Sequence, residues 1–157
     1  MLSSDRSGPN KCILKELRQV NKELTHRDYE ILAAFRYALR KFLRFSEAAA
    51  AEVDLSPQQY QGLLAIRGFP NGMPMTIGDL AECLQMRPHT AVALVNRLVH
   101  QGQVVRRPAT KDRRQVHVIL TDKGMAVLEM LAWMHREELQ RLKVPLSELT
   151  DYLRGAE

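Results

Sequence analysis

The sequence predicts a mainly α fold with one small β-hairpin, and three observations predict it. Apolar residues recur at helical spacing along most of the chain. Only 6% of the residues are aromatic, and no long β-branched alternation competes with the helical pattern. Late in the chain, two short runs flank the polar tip PATKD and read as a hairpin. At 157 residues and 45% apolar content, the chain is long enough for one folded unit with a substantial core and too short for two ordinary domains.

Each element has a local cause. Residues 1–10 are small and polar, with Gly8 and Pro9, and are expected to be a disordered tail. From Lys11, the residues Ile13, Leu14, Leu17, Val20 and Leu24 make a short amphipathic helix. Thr25, three residues before Asp28, opens a long helix to about Val53, with Tyr29, Leu32, Phe35, Leu39, Phe42 and Phe45 along it. A helix of that length needs more than one neighbour to cover it. Ser56 and Pro57 form an N-cap and first-position pair for a helix through Tyr60, Leu63, Leu64 and Ile66, which stops at the turn-forming FPNGMP.

Thr76 and Asp79 then cap a short helix with Ile77, Leu80, Ala81 and Leu84 apolar. Pro88 starts the next, with Val92, Leu94, Val95, Leu98 and Val99 facing inward and Gly102 just past its end, where a left-handed backbone costs glycine little. Val104 and Val105 begin one strand and Gln115–Leu120 the return strand. Thr121 caps a helix striped by Met125, Leu128, Leu131, Ala132, His135, Leu139 and Leu142. Pro145 is expected to break that helix, and SELTDYLRG to form a last short one. Two short helices with a tight joint, followed by a hairpin, are in the order of a winged helix-turn-helix.

The charge is localised. Between Arg87 and Lys123 stand Arg87, Arg97, Arg106, Arg107, Lys111, Arg113, Arg114 and Lys123 against Asp112 and Asp122 alone, a net +6, whereas the whole chain is +5. A cationic patch confined to a helix and a hairpin points to a polyphosphate partner, most simply duplex DNA. Cys12 and Cys83 lie in different segments without metal or disulfide spacing, and Cys83 reads as a small core residue. The five histidines show no HxxxH or HExxH pattern. No nucleophile elbow, phosphate-binding loop or dinucleotide fingerprint is present. The expectation is therefore a protein without catalytic residues, metal or cofactor. MLSSDRSGPNK lacks a signal-peptide core and no apolar run is long enough to span a membrane, so the chain reads as cytoplasmic.

Three further segments carry a resemblance: Leu94-Val95-Asn96-Arg97-Leu98 followed by Gly102, then Asp112-Arg113-Arg114, then Leu120-Thr121-Asp122-Lys123-Gly124. On these, residues 25–157 resemble the MarR family of bacterial transcription regulators. The resemblance implies a homodimer whose terminal helices interlock, a pseudopalindromic operator in double-stranded DNA, and a small-molecule effector that releases a repressor. It divides the chain into N-terminal dimerisation helices at 11–55, a winged helix-turn-helix at 56–120 and C-terminal dimerisation helices at 121–157. Two features depart from the family pattern. Arg87 stands where many members have a serine or threonine cap, and Ala91, Val92 and Ala93 replace polar positions of the recognition helix.

A recognition helix turns its N-terminal residues to the bases, which makes Arg87, Pro88, His89 and Thr90 the candidates for base contact, with Arg87 able to pair a guanine edge. Asn96 and Arg97, further along, face phosphate or solvent. The resemblance implies that an arginine of the Asp112-Arg113-Arg114 motif enters the minor groove while Asp112 orients it. Arg114 is the first choice, because it shares a strand face with Asp112, and Arg113 the second; a hairpin ion pair without DNA is the alternative. Lys111, Arg106 and Arg107 supply charge to phosphates.

Tyr37, Arg40, Arg44 and Tyr60 are candidates for the effector pocket, against the plainer reading of a core for the tyrosines and a solvated face for the Arg36, Arg40, Arg44 ladder. Two other functions compete with the regulator. One is a winged-helix module binding an acidic protein partner. The other is thiol-based redox sensing at Cys12, whose surroundings NKCILKEL do not match that pattern.

Overall fold

The computed structural model describes residues 24–108 and 115–154. The tail at 1–10, the helix expected from Lys11, Cys12, and the wing residues Lys111, Asp112, Arg113 and Arg114 lie outside the described residues.

Among the described residues, six helices and a three-stranded antiparallel sheet follow in chain order: α1 His26–Ala51, α2 Pro57–Arg67, a 3₁₀ turn at Pro70–Gly72, β1 Met75–Thr76, α3 Ile77–Cys83, α4 Pro88–His100, β2 Val104–Pro108, β3 Val116–Leu120, α5 Asp122–Gln140 and α6 Lys143–Arg154. Caps set most of the helix starts. Thr25 and Asp28 form a complete capping box on α1, and Thr76 and Asp79 one on α3. At α2, Ser56 pairs reciprocally with Gln59, a partner that the Ser56-Pro57 signal alone does not name.

The recognition-type helix α4 ends in a complete Schellman motif. Gly102, at φ +69°, donates its N–H to the Val99 carbonyl, and Gln103 donates to that of Leu98. β2 pairs with β3 from Val104↔Leu120 to Pro108↔Val116, and β1 adds a two-residue strand through Met75↔Val118. That third strand is absent from the sequence reading, since two residues carry no periodicity. Met75, Val104 and Val118 nevertheless close the core together with Leu63, Leu80, Leu94, Val95, Leu98, Leu128 and Leu131.

The structure corrects four expectations. Cys83 is exposed, because α3 turns Ile77, Leu80, Ala81 and Leu84 inward and position 83 falls on the flank of that stripe. Val92 and Val99 are exposed at 42% and 38%, while Ala91 is fully buried: the inner face of α4 is Ala91, Leu94, Val95 and Leu98. The break before the last helix falls at Arg141 and Leu142, whose N–H groups bond back three residues to Glu138 and Leu139. Pro145 lies within the first turn of α6, where a missing N–H deprives the helix of nothing. Finally, the stripe of α5 narrows to Leu128, Leu131 and His135, with Ala132 and Leu139 outside it.

His135 is the polar member of that core. Its Nδ1 lies 2.6 Å from the Leu131 carbonyl oxygen, which only accepts, so Nδ1 carries the proton. Nε2 lies 2.8 Å from the Ser46 hydroxyl on α1. The ring stacks on Tyr60 of α2 at 4.5 Å and meets the edges of Phe42 and Phe45. One buried imidazole thus ties α1, α2 and α5 together.

The tightest backbone approach lies where α5 begins. A Cβ on Gly124 would overlap the carbonyl oxygen of Gln103. Gly124→Ala is therefore expected to cost about 3 kcal/mol, lowering the melting temperature by about 10 °C; a calorimetric scan matching wild type would show that this joint yields.

Candidate nucleic-acid interface

The charged face grows from α4 and the strands after it. α4 starts at Arg87, the N-cap residue, whose backbone is extended at φ −69° and ψ 146° and whose side chain makes no capping hydrogen bond. Pro88 occupies the first helical position, and the first turn holds no acidic residue. Pro88 has no N–H and Thr90 donates its own to the Arg87 carbonyl, so it is the His89 N–H and the positive dipole end of a 13-residue helix that are left without an internal anion. Arg87, Pro88 and His89 are exposed and Thr90 is half-buried. Along the same outer surface follow Val92, Asn96 and Arg97, all exposed. Val92 is a position that inward-facing assignment missed; helical spacing from Pro88 and Asn96 is the signal that finds it.

Strand alternation separates the two arginines that the sequence groups together. Val104 is buried and Arg106, two residues on, shares its face; Arg106 also stands opposite buried Val118. That face turns towards α4, and the Arg106 guanidinium donates to Asn96 Oδ1 at 2.7 Å. Arg107 pairs with His117 on the opposite face. Lys123 is engaged elsewhere: its Nζ donates to the Gln101 carbonyl at 2.9 Å, placing a cation at the C-terminal end of α4.

Residues that carry no chemistry of their own position the helix. Gln59 on α2 donates through Nε2 to Gln101 Oε1, and Gln101 Nε2 donates to the Asp54 carbonyl in the α1–α2 link. Asp54 has φ +57°. Gln85, at φ +51°, makes the turn between α3 and α4, and Met86 N–H returns to the Ala81 carbonyl. Pattern reading finds none of these, because a lone Gln or Asp in a link has no periodic signature.

The four effector-pocket candidates are not brought together. Tyr60 is 4% exposed and belongs to the aromatic core around His135. Tyr37 is 60% exposed and shares the outer surface of α1 with Arg40, Lys41 and Arg44, the Lys41 ammonium lying 5.8 Å from its ring. A cavity of about 300 Å³ instead lies between Ile66, Arg67, Met73, Met75, Val118, Leu120 and Met125. Among the described residues no group of side chains is arranged to hold a metal ion, and no helix is long and apolar enough to cross a membrane.

Comparison with known proteins places these features. The sequence model of the MarR family matches residues 53–115. The HTH-type transcriptional regulator PecS of Dickeya dadantii is 29% identical over 96 residues, covering 60% of this chain and 57% of PecS. The transcriptional activatory protein BadR of Rhodopseudomonas palustris is 31% identical over 97 residues, covering 61% of this chain and 55% of BadR. The chain thus matches little more than half the length of these two transcriptional regulators. The fold is that of MepR, a transcription regulator of a Staphylococcus aureus multidrug efflux pump, with a TM-score of 0.70 at 18% identity over 85% of this chain and all of that one. AbsC of Streptomyces coelicolor superposes at 0.66 and 18% identity, over 87% and 94% of the two chains. A MepR–DNA complex superposes at 0.58 and 20% identity, over 78% and 98%.

Burial raises the pKa of the Tyr60 phenol above its ordinary value. Between the ordinary and the raised pKa the folded chain keeps a proton that the unfolded chain has lost, so stability is full below that window and falls as pH rises through it. Tyr60→Phe is expected to melt less steeply with pH above about pH 10 than wild type. Parallel curves for the two proteins would place the alkaline sensitivity elsewhere.

Proposed function

We propose that the chain is a member of the MarR family and, from this premise, that it is a homodimeric, sequence-specific DNA-binding transcriptional regulator of the cytoplasm, a repressor released by a small-molecule effector. The observation that carries the DNA reading is the surface of α4 and β2. An uncapped helix N-terminus with Arg87 and His89 exposed is followed along the helix and into β2 by exposed Arg97, Arg106 and Arg107, while the inner face of the same helix is sealed in the core.

In this reading α4 enters the major groove. Arg87 pairs a guanine edge, His89 and Thr90 reach bases or phosphates, and exposed Val92 offers an apolar contact to a thymine methyl. Arg97, Arg107 and Lys111 add phosphate contacts, and Arg114 or Arg113 of the wing enters the minor groove with Asp112 as orienter. Burial of Ala91 means that it was never available for base readout, so the reading surface loses less than the sequence alone suggests.

The dimer reading rests on uncovered apolar surface. α6 has no buried residue, with Val144 64%, Leu146 42% and Leu153 59% exposed, and α1 leaves Tyr29 58% and Leu32 38% exposed. Amphipathic helices with an open apolar face are covered by a partner. An effector that binds one spacing of the two recognition helices better than the other would shift operator occupancy.

Selection of genomic fragments by the purified protein tests the function. A recurrent palindrome with half-sites about one helical turn apart is expected; binding without sequence preference would refute the regulator and favour a general or acidic-protein contact. On the selected site, Arg87→Ala should lose about tenfold or more in affinity with little change on random DNA. Truncation after Leu142 should shift the sedimentation equilibrium towards monomer, and an unchanged dimer would remove α6 from the interface.

A further inference from the structure

The Asn96–Arg106 contact has a use beyond holding a strand against a helix. A guanidinium only donates, so the Asn96 atom facing it must be Oδ1, as the 2.7 Å contact has it, and the amide Nδ2 with its two hydrogens faces away. Arg106 uses one of its five N–H groups in this bond and keeps four. Both residues are exposed. The pair therefore presents a cation and a neutral amide donor side by side, the donor set of an oxyanion site, with the two halves on different elements.

Its place in the fold says which oxyanion. Asn96 belongs to α4 and Arg106 to β2, the stem of the wing. A helix in the major groove and a wing in the adjacent minor groove lie on opposite sides of one sugar-phosphate ridge, and the contact between them sits where that ridge must pass. We infer that Asn96 and Arg106 form a single clamp for one DNA phosphodiester, in which Asn96 is a positioning residue: it fixes the guanidinium plane and adds an amide donor of its own. This rests on the DNA-binding reading above. It decides for Asn96 between phosphate and solvent and separates Arg106 from Arg107, whose side chain lies on the other face of the strand. Preorganisation is the gain, since a long exposed arginine otherwise loses rotamer freedom when it meets a phosphate.

The test measures binding of the full-length protein to a mixed-sequence DNA duplex across a range of salt, because a phosphate contact is blind to sequence. Arg106→Ala should flatten the log affinity against log salt slope by about 0.9, the share of one phosphate. Asn96→Ala should weaken binding several-fold, and the double variant should lose less than the two single losses combined, because Asn96 acts in part through the arginine. Asn96→Asp keeps an acceptor for Arg106 but replaces the amide donor with negative charge, so it should bind more weakly than Asn96→Ala while melting no lower than it.

Additive losses in the double variant, or an Asn96→Ala protein with wild-type affinity, would overturn the clamp while leaving DNA binding intact. A wild-type protein without salt-dependent binding would overturn both readings. A purely structural link would lower the melting temperatures of the single variants and leave the salt slope of Arg106→Ala unchanged, which also counts against the clamp.

Discussion

The architecture depends on the close approach of Gly124 to the carbonyl of Gln103. That carbonyl lies at the end of the recognition-type helix and the start of the wing, and the residues facing it end the wing and start α5. Its oxygen accepts from the Thr121 N–H at 3.0 Å, while the Thr121 hydroxyl donates to the Gly102 carbonyl at 2.7 Å and receives the Gly124 N–H at 3.0 Å. Four elements thus meet at one backbone crossing, and any side chain on Gly124 would push them apart. Because the Schellman bonds of Gly102 and Gln103 use the adjacent N–H groups, the backbone of the crossing is hydrogen-bonded from both sides.

From this crossing outward, the protein divides its polar groups by purpose. Lys123 and Gln101 serve the C-terminal end of α4, and Gln59 links that end to α2, so one end of the helix is held by side chains. The opposite end is left open at Arg87, with no side-chain cap. Stability is concentrated where the helix is anchored, and the positive end left open is the one that an anion can use. Within the core, His135 is the counterpart of this arrangement: both ring nitrogens have partners, and the ring lies among Tyr60, Phe42 and Phe45. Its place between α1, α2 and α5 makes the long helices and the winged helix a single packed body.

Much of the fold is legible in the sequence because its signals are local. Thr25, Ser56, Thr76 and Thr121 each announce a helix start through a cap, and Gly102 announces an end. What escapes is set by tertiary contact. β1 exists because Met75 pairs with Val118, forty-odd residues away, and no pattern within two residues can reveal it. Val92 and Ala91 exchange the roles that a hydrophobicity pattern gives them, because the space under α4 admits a methyl group at one position and leaves the larger side chain outside. The site is legible as charge, since the cations cluster in one segment, but not as geometry. Only strand alternation and register distinguish Arg106, turned to the helix, from Arg107, turned away.

The length of α1 has a mechanical meaning. Its 26 residues span about 39 Å at the rise of an α-helix. Ala49 and Ala50, buried at one end, seat it on the winged helix, whereas the other end carries exposed Tyr29, with exposed Leu24 just ahead of its cap. A rigid rod anchored in this way is a lever. A tilt of about 5° at the outer end sweeps about 3.4 Å at the seated end, close to one nucleotide step along a DNA strand. Angular adjustments too small to repack a core would then be enough to carry a reading helix out of phase with its bases.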